Sequence, residues 1–290
     1  MKTFDPAVYG VGFLAAVGAG LFLLERLVPL RRSVRSLVGR LAVNVVFSGL
    51  ALAAAVLLVR PAVETSFARL SAAPVGLIHL IALPPVLGGP LAFLLMDLSF
   101  YYWHLLNHRV PVLWRFHNVH HMDPDLDVTT ALRFHFGELA LSAGFRVVQI
   151  VLIGVSPWTF AVYEMVFQAN TLFHHSNLRL PIRLERPLNK LLVTPRMHGI
   201  HHSQVRREAN SNYGVVFPWW DRLHRTLGLN VPQSAVRIGV PAYLDPRDNR
   251  LWSALAQPFR RQRDYWRRPD GTLVTREPEL AEPRASRLAE

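Results

Sequence analysis

The sequence predicts an all-α integral membrane bundle, with about four to five membrane-embedded helices and a cytosolic helical cap rich in histidine. Three observations carry that expectation. Hydrophobic residues make up 51% of the chain and charged residues only 18%, below the quarter usual for soluble domains. The apolar residues crowd into positions 7–174, whereas the remainder is richer in Arg, Pro and acids. Histidine occurs 13 times and cysteine not at all. Disulfides, iron–sulfur clusters and thiolate zinc sites are therefore excluded.

The first apolar stretch, 7–29, is long enough at 1.5 Å per residue to cross roughly 30 Å of hydrocarbon. Asp5 near its start and the lack of a small-x-small cleavage site favour a retained helix over a secretory signal. A second stretch, 41–59, ends at Arg60-Pro61. Between the two lie Arg31, Arg32, Arg35 and Arg40, with Arg26 just before them, which the positive-inside rule places in the cytoplasm. Residues 75–103 are apolar but broken at Pro84-Pro85 and Gly88-Gly89-Pro90. They read as a re-entrant or interfacial start followed by a span from about 90 to 103. Residues 139–174, interrupted by Gly154-Val155-Ser156-Pro157, read as a helical hairpin. Arg146, Gln149 and Glu164 inside it imply faces turned toward protein. This topology puts every histidine cluster on the cytoplasmic side. Residues 264–290 read as a solvated tail. The net charge of +12 fits adhesion to an anionic leaflet better than nucleic-acid binding, because the arginines flank apolar segments.

Three clusters carry the chemistry: His104-xxx-His108, His117-xx-His120-His121 and His198-xx-His201-His202. On a helix, positions i, i+3 and i+4 share a face, so each HxxHH can aim three imidazoles at one point. Eight donors exceed the needs of one ion and predict a dinuclear metal site. Asp97, Tyr101, His104 and His108 fall on one helical face. Asp97 and Tyr101 are thus candidates to support the ligands, with Asp97 accepting a proton from a ligand's second nitrogen. His174 and His175 end the hairpin, and one of them is expected to complete the site; Asn170, one turn earlier, is a candidate to contribute through a water. His135 is a further supporting candidate, while His79 and His224 read as structural. By ligand type alone zinc, copper, iron and nickel are all suited, and HExxH is absent.

The text of the segment resembles the fatty acid hydroxylase/sterol desaturase superfamily from about 97 to 227. The resemblance is carried by Asp97, Tyr102-Trp103-His104-xxx-His108, Trp114-Arg-Phe-His117-xx-His120-His121 and Thr130-Ala-Leu-Arg133-Phe-His135-xx-Glu138. It continues through His175-Ser-Asn177, Met197-His198-xx-His201-His202-Ser, Asn212-Tyr213-Gly214 and Trp220-Asp221-Arg222. One departure is Leu105, where relatives often carry Arg. The resemblance implies a membrane anchor at 1–90, a catalytic domain at 91–230 and a polar C-terminal segment and tail at 231–290. It implies two iron ions held by the eight clustered histidines, with O2 as co-substrate, and favours His175 over His174 because a Ser-Asn pair follows.

The expected function is O2-dependent hydroxylation or desaturation of a lipid. A membrane site implies an apolar substrate, and unactivated C–H bonds require oxygen chemistry. With no flavin fingerprint, cysteine ligand or fused haem domain in sight, electrons are expected from a separate reductase or carrier protein, and no nucleic acid is expected as partner. The rivals are a membrane zinc hydrolase using a subset of these histidines and a metal transporter with a histidine-rich gate.

Overall fold

Pro6, Pro61, Pro85, Pro111 and Pro157 stand at or beside the starts of longer helices and help set where they begin. A computed structural model describes residues 6–81 and 83–276. Helix α1 (Pro6–Leu27) opens at a proline, whose fixed φ and missing N–H suit a first turn. Helix α2 (Leu37–Ala54) does not stop at Arg60-Pro61 as the sequence suggests. It widens into a π-helical segment (Ala55–Val59) and continues as α3 (Arg60–Ala72). A wider turn before Pro61 accommodates a residue that has no N–H to donate and would crowd the preceding turn.

After the short α4 (Leu77–Leu80), α5 runs from Pro85 to Arg109, straight through Pro90. The span therefore begins earlier than the glycine and proline residues suggest, with Pro90 only in its second turn. A single extended residue, Val110, separates α5 from α6 (Pro111–His121). Pro111 disfavours a helical conformation at the residue before it, so the chain turns there and folds α6 back along α5. The expected hairpin forms from α7 (Phe136–Ile153) and α8 (Pro157–His175). Gly154 takes a left-handed φ of 73° at the turn, and a Cβ there would lie 2.6 Å from the Val75 carbonyl oxygen. Ser156 caps α8 by accepting from the Thr159 N–H at 3.1 Å.

Short helices complete the cap: α9 (Ile182–Leu188), α10 (Pro195–His201), α11 (Arg206–Ala209), α12 (Trp219–Leu223) and α13 (Leu251–Ala256). Among the described residues there is no strand beyond isolated bridges. Helix α1 packs on α8, α2 and α3 on α7, α5 on α6, α7 and α8, and α10 on α8. Met96, Phe100, Ile150, Tyr163 and Val216 fill the space between α5, α7 and α8. Arg146 lies in that bundle, paired with Glu164 at 2.6 Å and stacked 4.2 Å over Phe100. Gln149 accepts from Arg146 and donates to Ser99, so the polar residues of the hairpin do face protein.

Among the described residues, four helical segments are long and apolar enough to cross a membrane: Gly10–Leu27, Leu37–Leu80, Val86–Arg109 and Phe136–Ile153. The chain is a multi-pass membrane protein of helical fold.

The C-terminal segment departs from its sequence reading. Trp266 stacks on Trp114 with ring centroids 6.0 Å apart, and Tyr265 meets the same ring edge-on at 5.8 Å. Arg276 forms an ion pair with Glu208. The aromatic residues within this Arg- and Pro-rich text dock it onto the cap, because burying two large rings outweighs the polarity around them. Residues 277–290 of the expected tail lie outside the described residues.

Candidate metal centre

The turn at Val110 sets the C-terminal end of α5 against α6, and α10 closes over both beside the end of α8. Nine histidines converge there in two adjoining groups. His104, His108, His117, His121 and His201 form one; His120, His175, His198 and His202 form the other. Within each group, one ring nitrogen per residue lies within 4.8 Å of all the others.

Neither HxxHH serves one point, contrary to the helical-face argument. His117 and His121 enter the first group and His120 the second; His201 enters the first, His198 and His202 the second. Adjacent residues on a helix are separated by about 100° of rotation. The rings of His120 and His121 accordingly stand at 85°, and those of His201 and His202 at 82°. Each motif straddles the seam and binds the two groups into one unit.

Orientation comes from hydrogen bonds on the far side of the rings. His104 Nδ1 donates to the Tyr213 carbonyl at 2.8 Å, His201 Nδ1 to that of Ser211 at 2.7 Å, and His175 Nδ1 to that of Thr171 at 2.8 Å. His117 Nδ1 lies 2.9 Å from Glu138 Oε1. A proton on each Nδ1 leaves the Nε2 lone pair facing the group, the usual way a metal-binding imidazole is fixed. The carbonyls of Ser211 and Tyr213 are held in turn by a built turn. Asp221 accepts from the N–H of Tyr213 and of Gly214 at 2.8 Å each, and Asn212, at a φ of 57°, bridges to Gly228 and Met197.

The nitrogens left inside call for a cation. The Nε2 atoms of His117, His121 and His201, and both ring nitrogens of His108, are buried without a hydrogen-bond partner. In the second group, His175 Nε2 lies 3.0 Å from the Nε2 of both His120 and His198, and His202 Nε2 lies 3.1 Å from that of His198. One in-plane lone pair on His175 cannot satisfy two donors at full strength. Burial, and then the neighbouring imidazoles, push His120, His121, His198, His201 and His202 well below the usual histidine range. Neutral imidazoles with converging lone pairs fit divalent transition-metal ions.

The supporting residues read from the sequence sit elsewhere. Asp97 touches no histidine: it accepts from Trp220 Nε1 at 2.7 Å, from the Phe217 and Val216 N–H groups, and from the Tyr163 hydroxyl. Seven helical residues put it about 10 Å along the axis from His104, beyond a carboxylate's reach. Tyr101 pairs with Thr226 at 3.0 Å, and Asn170 donates to the Val215 carbonyl at 2.5 Å. All three anchor the 215–226 segment that follows the ring-orienting carbonyls of Ser211 and Tyr213. His174 is in neither group; its Nδ1 lies 3.3 Å from Asn170. His135 caps α7, and His224 pairs with the Tyr102 hydroxyl, both structural roles.

Sequence reasoning missed the acidic loop after α6. Arg40 reaches from α2 to Asp123 and Asp127, and Arg133 adds its charge beside Asp123. Burial alone would raise the Asp123 carboxyl, but the Arg40 guanidinium, with Arg133 and Asn44, holds it down at about 2. Arg26 also reaches Asp127, and the Asn177 side chain bridges the backbone of Arg31. Arg26, Arg31 and Arg40, read from the sequence as part of a leaflet-facing loop, are fastened to the cap. The alternation Asp123-x-Asp125-x-Asp127 was the available signal.

Residues 89–226 match the fatty acid hydroxylase family. The match covers 138 of the 290 residues. The chain is 31% identical over 172 residues to an ornithine lipid hydroxylase of Rhizobium tropici, covering 59% of this chain and 50% of the relative. An alkylglycerol monooxygenase of Xenopus tropicalis is 34% identical over 139 residues, 47% of this chain and 29% of the relative. The human cholesterol 25-hydroxylase is 31% identical over 137 residues, 46% and 48% of the two chains. The match thus spans half or less of these relatives' length. No solved structure matches the chain. All the histidines of both groups fall inside the segment that matches the fatty acid hydroxylase family.

Proposed function

We propose that the protein is a membrane-bound, O2-dependent lipid hydroxylase or desaturase whose two histidine groups each hold one iron ion. The observation that carries the reading is nine histidine nitrogens, several buried without partners, meeting in two adjoining groups inside the segment that matches the fatty acid hydroxylase family. The names of the relatives, hydroxylases and monooxygenases of lipids, favour hydroxylation. When bound, the iron pair supplies the redox chemistry that activates O2 toward an unactivated C–H bond. His104, His108, His117, His121 and His201 would hold one ion, and His120, His175, His198 and His202 the other.

The chain's own residues do the rest. Glu138 and the carbonyls of Thr171, Ser211 and Tyr213 keep the Nδ1 protons outward and the Nε2 lone pairs inward. Phe134 lies parallel to the His120 ring at 4.6 Å, and Trp114 covers His108 at 4.7 Å, so apolar faces exclude water around the imidazoles. Electrons come from a separate carrier protein. The cap and its donor-docking face lie on the cytoplasmic side, supported by the arginine-rich 26–40 segment that is fastened to the cap.

The test is metal and oxygen stoichiometry on purified protein: two irons per chain, and lipid-dependent O2 uptake matched by a product that has gained one oxygen or lost two hydrogens. A single zinc with no O2 uptake would replace this reading with the hydrolase.

A further inference from the structure

Two large aromatic side chains of the C-terminal segment stand in the open. Trp252 on α13 is 78% exposed, and Phe259, in the tight turn Gln257–Phe259 that follows, is 67% exposed. Rings of this size bury large areas wherever a partner surface exists, so leaving both bare marks a contact site. Their support is firm. Leu251, Ala254 and Leu255, one face of α13, cluster with Val43 and Phe47 of α2 and Val119 of α6, and Trp252 lies off that face.

Bonds to membrane-crossing helices set the level of this segment. His135 Nδ1 accepts from the Gly137 N–H at 3.0 Å and so caps α7. The ring proton is then on Nε2, which donates to the Leu255 carbonyl at 3.1 Å. Helix α7 crosses the membrane from its first residue, Phe136, which is itself 40% exposed. The Phe259 ring lies 5.8 Å from that of His135. Helix α2, the other support, belongs to the crossing segment Leu37–Leu80. The segment is therefore fastened where α7 starts its crossing, the depth at which aromatic rings gather in membrane proteins.

Charge selects the occupant. Residues 250–261 contain Arg250, Arg260 and Arg261 and no acid. All three arginines are exposed and, among the described residues, form no ion pair. The nearby acids are already matched: Asp245 by Arg247, Asp248 by Arg263 and Asp264 by Arg267. Bare rings beside unmatched cations suit the boundary between lipid phosphates and acyl chains. We propose that residues 250–261 are an interfacial anchor that seats the cap on an anionic leaflet. Trp252 and Phe259 enter the boundary, and the three arginines meet lipid phosphates. The leaflet contact expected of the 26–40 arginines thus passes to a stretch whose sequence reads as polar. This seat does not depend on the reaction that the histidines support.

The chain has no cysteine, so one introduced thiol is the only labelling position. Trp252→Cys and Phe259→Cys, in the full-length, metal-loaded protein, each carry a bimane fluorophore. They are placed one chain per nanodisc in mixed phosphatidylcholine and phosphatidylglycerol. Asp270→Cys, in an exposed polar turn, is the reference. Lipid bearing a nitroxide at an upper acyl carbon should quench both labels at least about threefold more than the reference, and aqueous acrylamide about threefold less. Adding Arg250→Gln, Arg260→Gln and Arg261→Gln should lower the lipid quenching about twofold. Metal content, expected to stay unchanged, identifies folded protein, and the second labelled position guards against failure of the first. Acrylamide quenching equal to the reference at both positions would overturn the anchor. So would shielding that appears only with two chains per disc, which would make a second copy the occupant.

Discussion

Arg40 grips Asp123 through two parallel hydrogen bonds, Nε to Oδ1 at 2.8 Å and Nη2 to Oδ2 at 2.9 Å, with both side chains buried. The contact joins α2 to the loop two residues beyond His121, so the membrane helix fixes the end of the helix that supplies three ligands. Removing one partner of a buried pair leaves the other charge uncompensated. Arg40→Ala should cost about 3–5 kcal/mol. Arg40→Lys should recover only part of it, because an ammonium cannot reproduce the planar fork. Thermal unfolding in detergent, with iron content measured alongside, checks both.

Glu138→Gln removes the carboxylate beside His117 Nδ1 while keeping its shape. Metal affinity or activity should fall about 10–100-fold, measured by competition with a chelator. Asp97→Asn, by contrast, should lower stability and leave chelator resistance intact, because Asp97 contacts the 216–220 segment and no histidine. Equal metal loss in the two variants would contradict the geometry.

His174 and His175 are sequence neighbours with opposite expected outcomes. His175→Ala should cost the protein close to one of its two metals, whereas His174→Ala should retain both, since only His175 lies in a histidine group. Elemental analysis per chain separates them.

Acid should destabilise the metal-free protein in a defined window. Burial, reinforced by neighbouring imidazoles, holds His120, His121, His198, His201 and His202 well below their ordinary 6.5. Below pH 6.5 the unfolded chain binds protons that the folded chain refuses. Stability is therefore fully present above that pH and lost as pH falls below it. Each group contributes about 1.4 kcal/mol per pH unit inside the window. Chemical unfolding of the metal-free protein at pH 8, 7, 6 and 5 should show a flat region followed by a steep decline. A midpoint constant down to pH 5 would sink the assignment of neutral, buried rings.

The helical membrane fold, the hairpin turn at Gly154 and the three histidine clusters were legible because each depends on local text: apolar length, a turn signal, ligand spacing. Asp97, Tyr101 and Asn170 contact the 215–226 segment and not a grouped histidine, because sharing a helix face says nothing about what lies across from it. Glu138 was visible only as a motif position, since its partner His117 is 21 residues away. The 26–40 arginines read as a topological signal, yet the burial of Arg40 against Asp123 and Asp127 follows from contacts across 83 and 87 residues of chain.

By itself, then, the sequence determined a cysteine-free, histidine-rich helical membrane protein and named the rings available to a metal, because hydropathy and spacing are properties of a single segment. Only the tertiary structure decided how those rings are shared. The 100° step between neighbouring residues sends His120 and His121 to different groups, as it does His201 and His202. Which group each ring joins depends on where α5, α8 and α10 stand around α6, and packing between distant segments sets that.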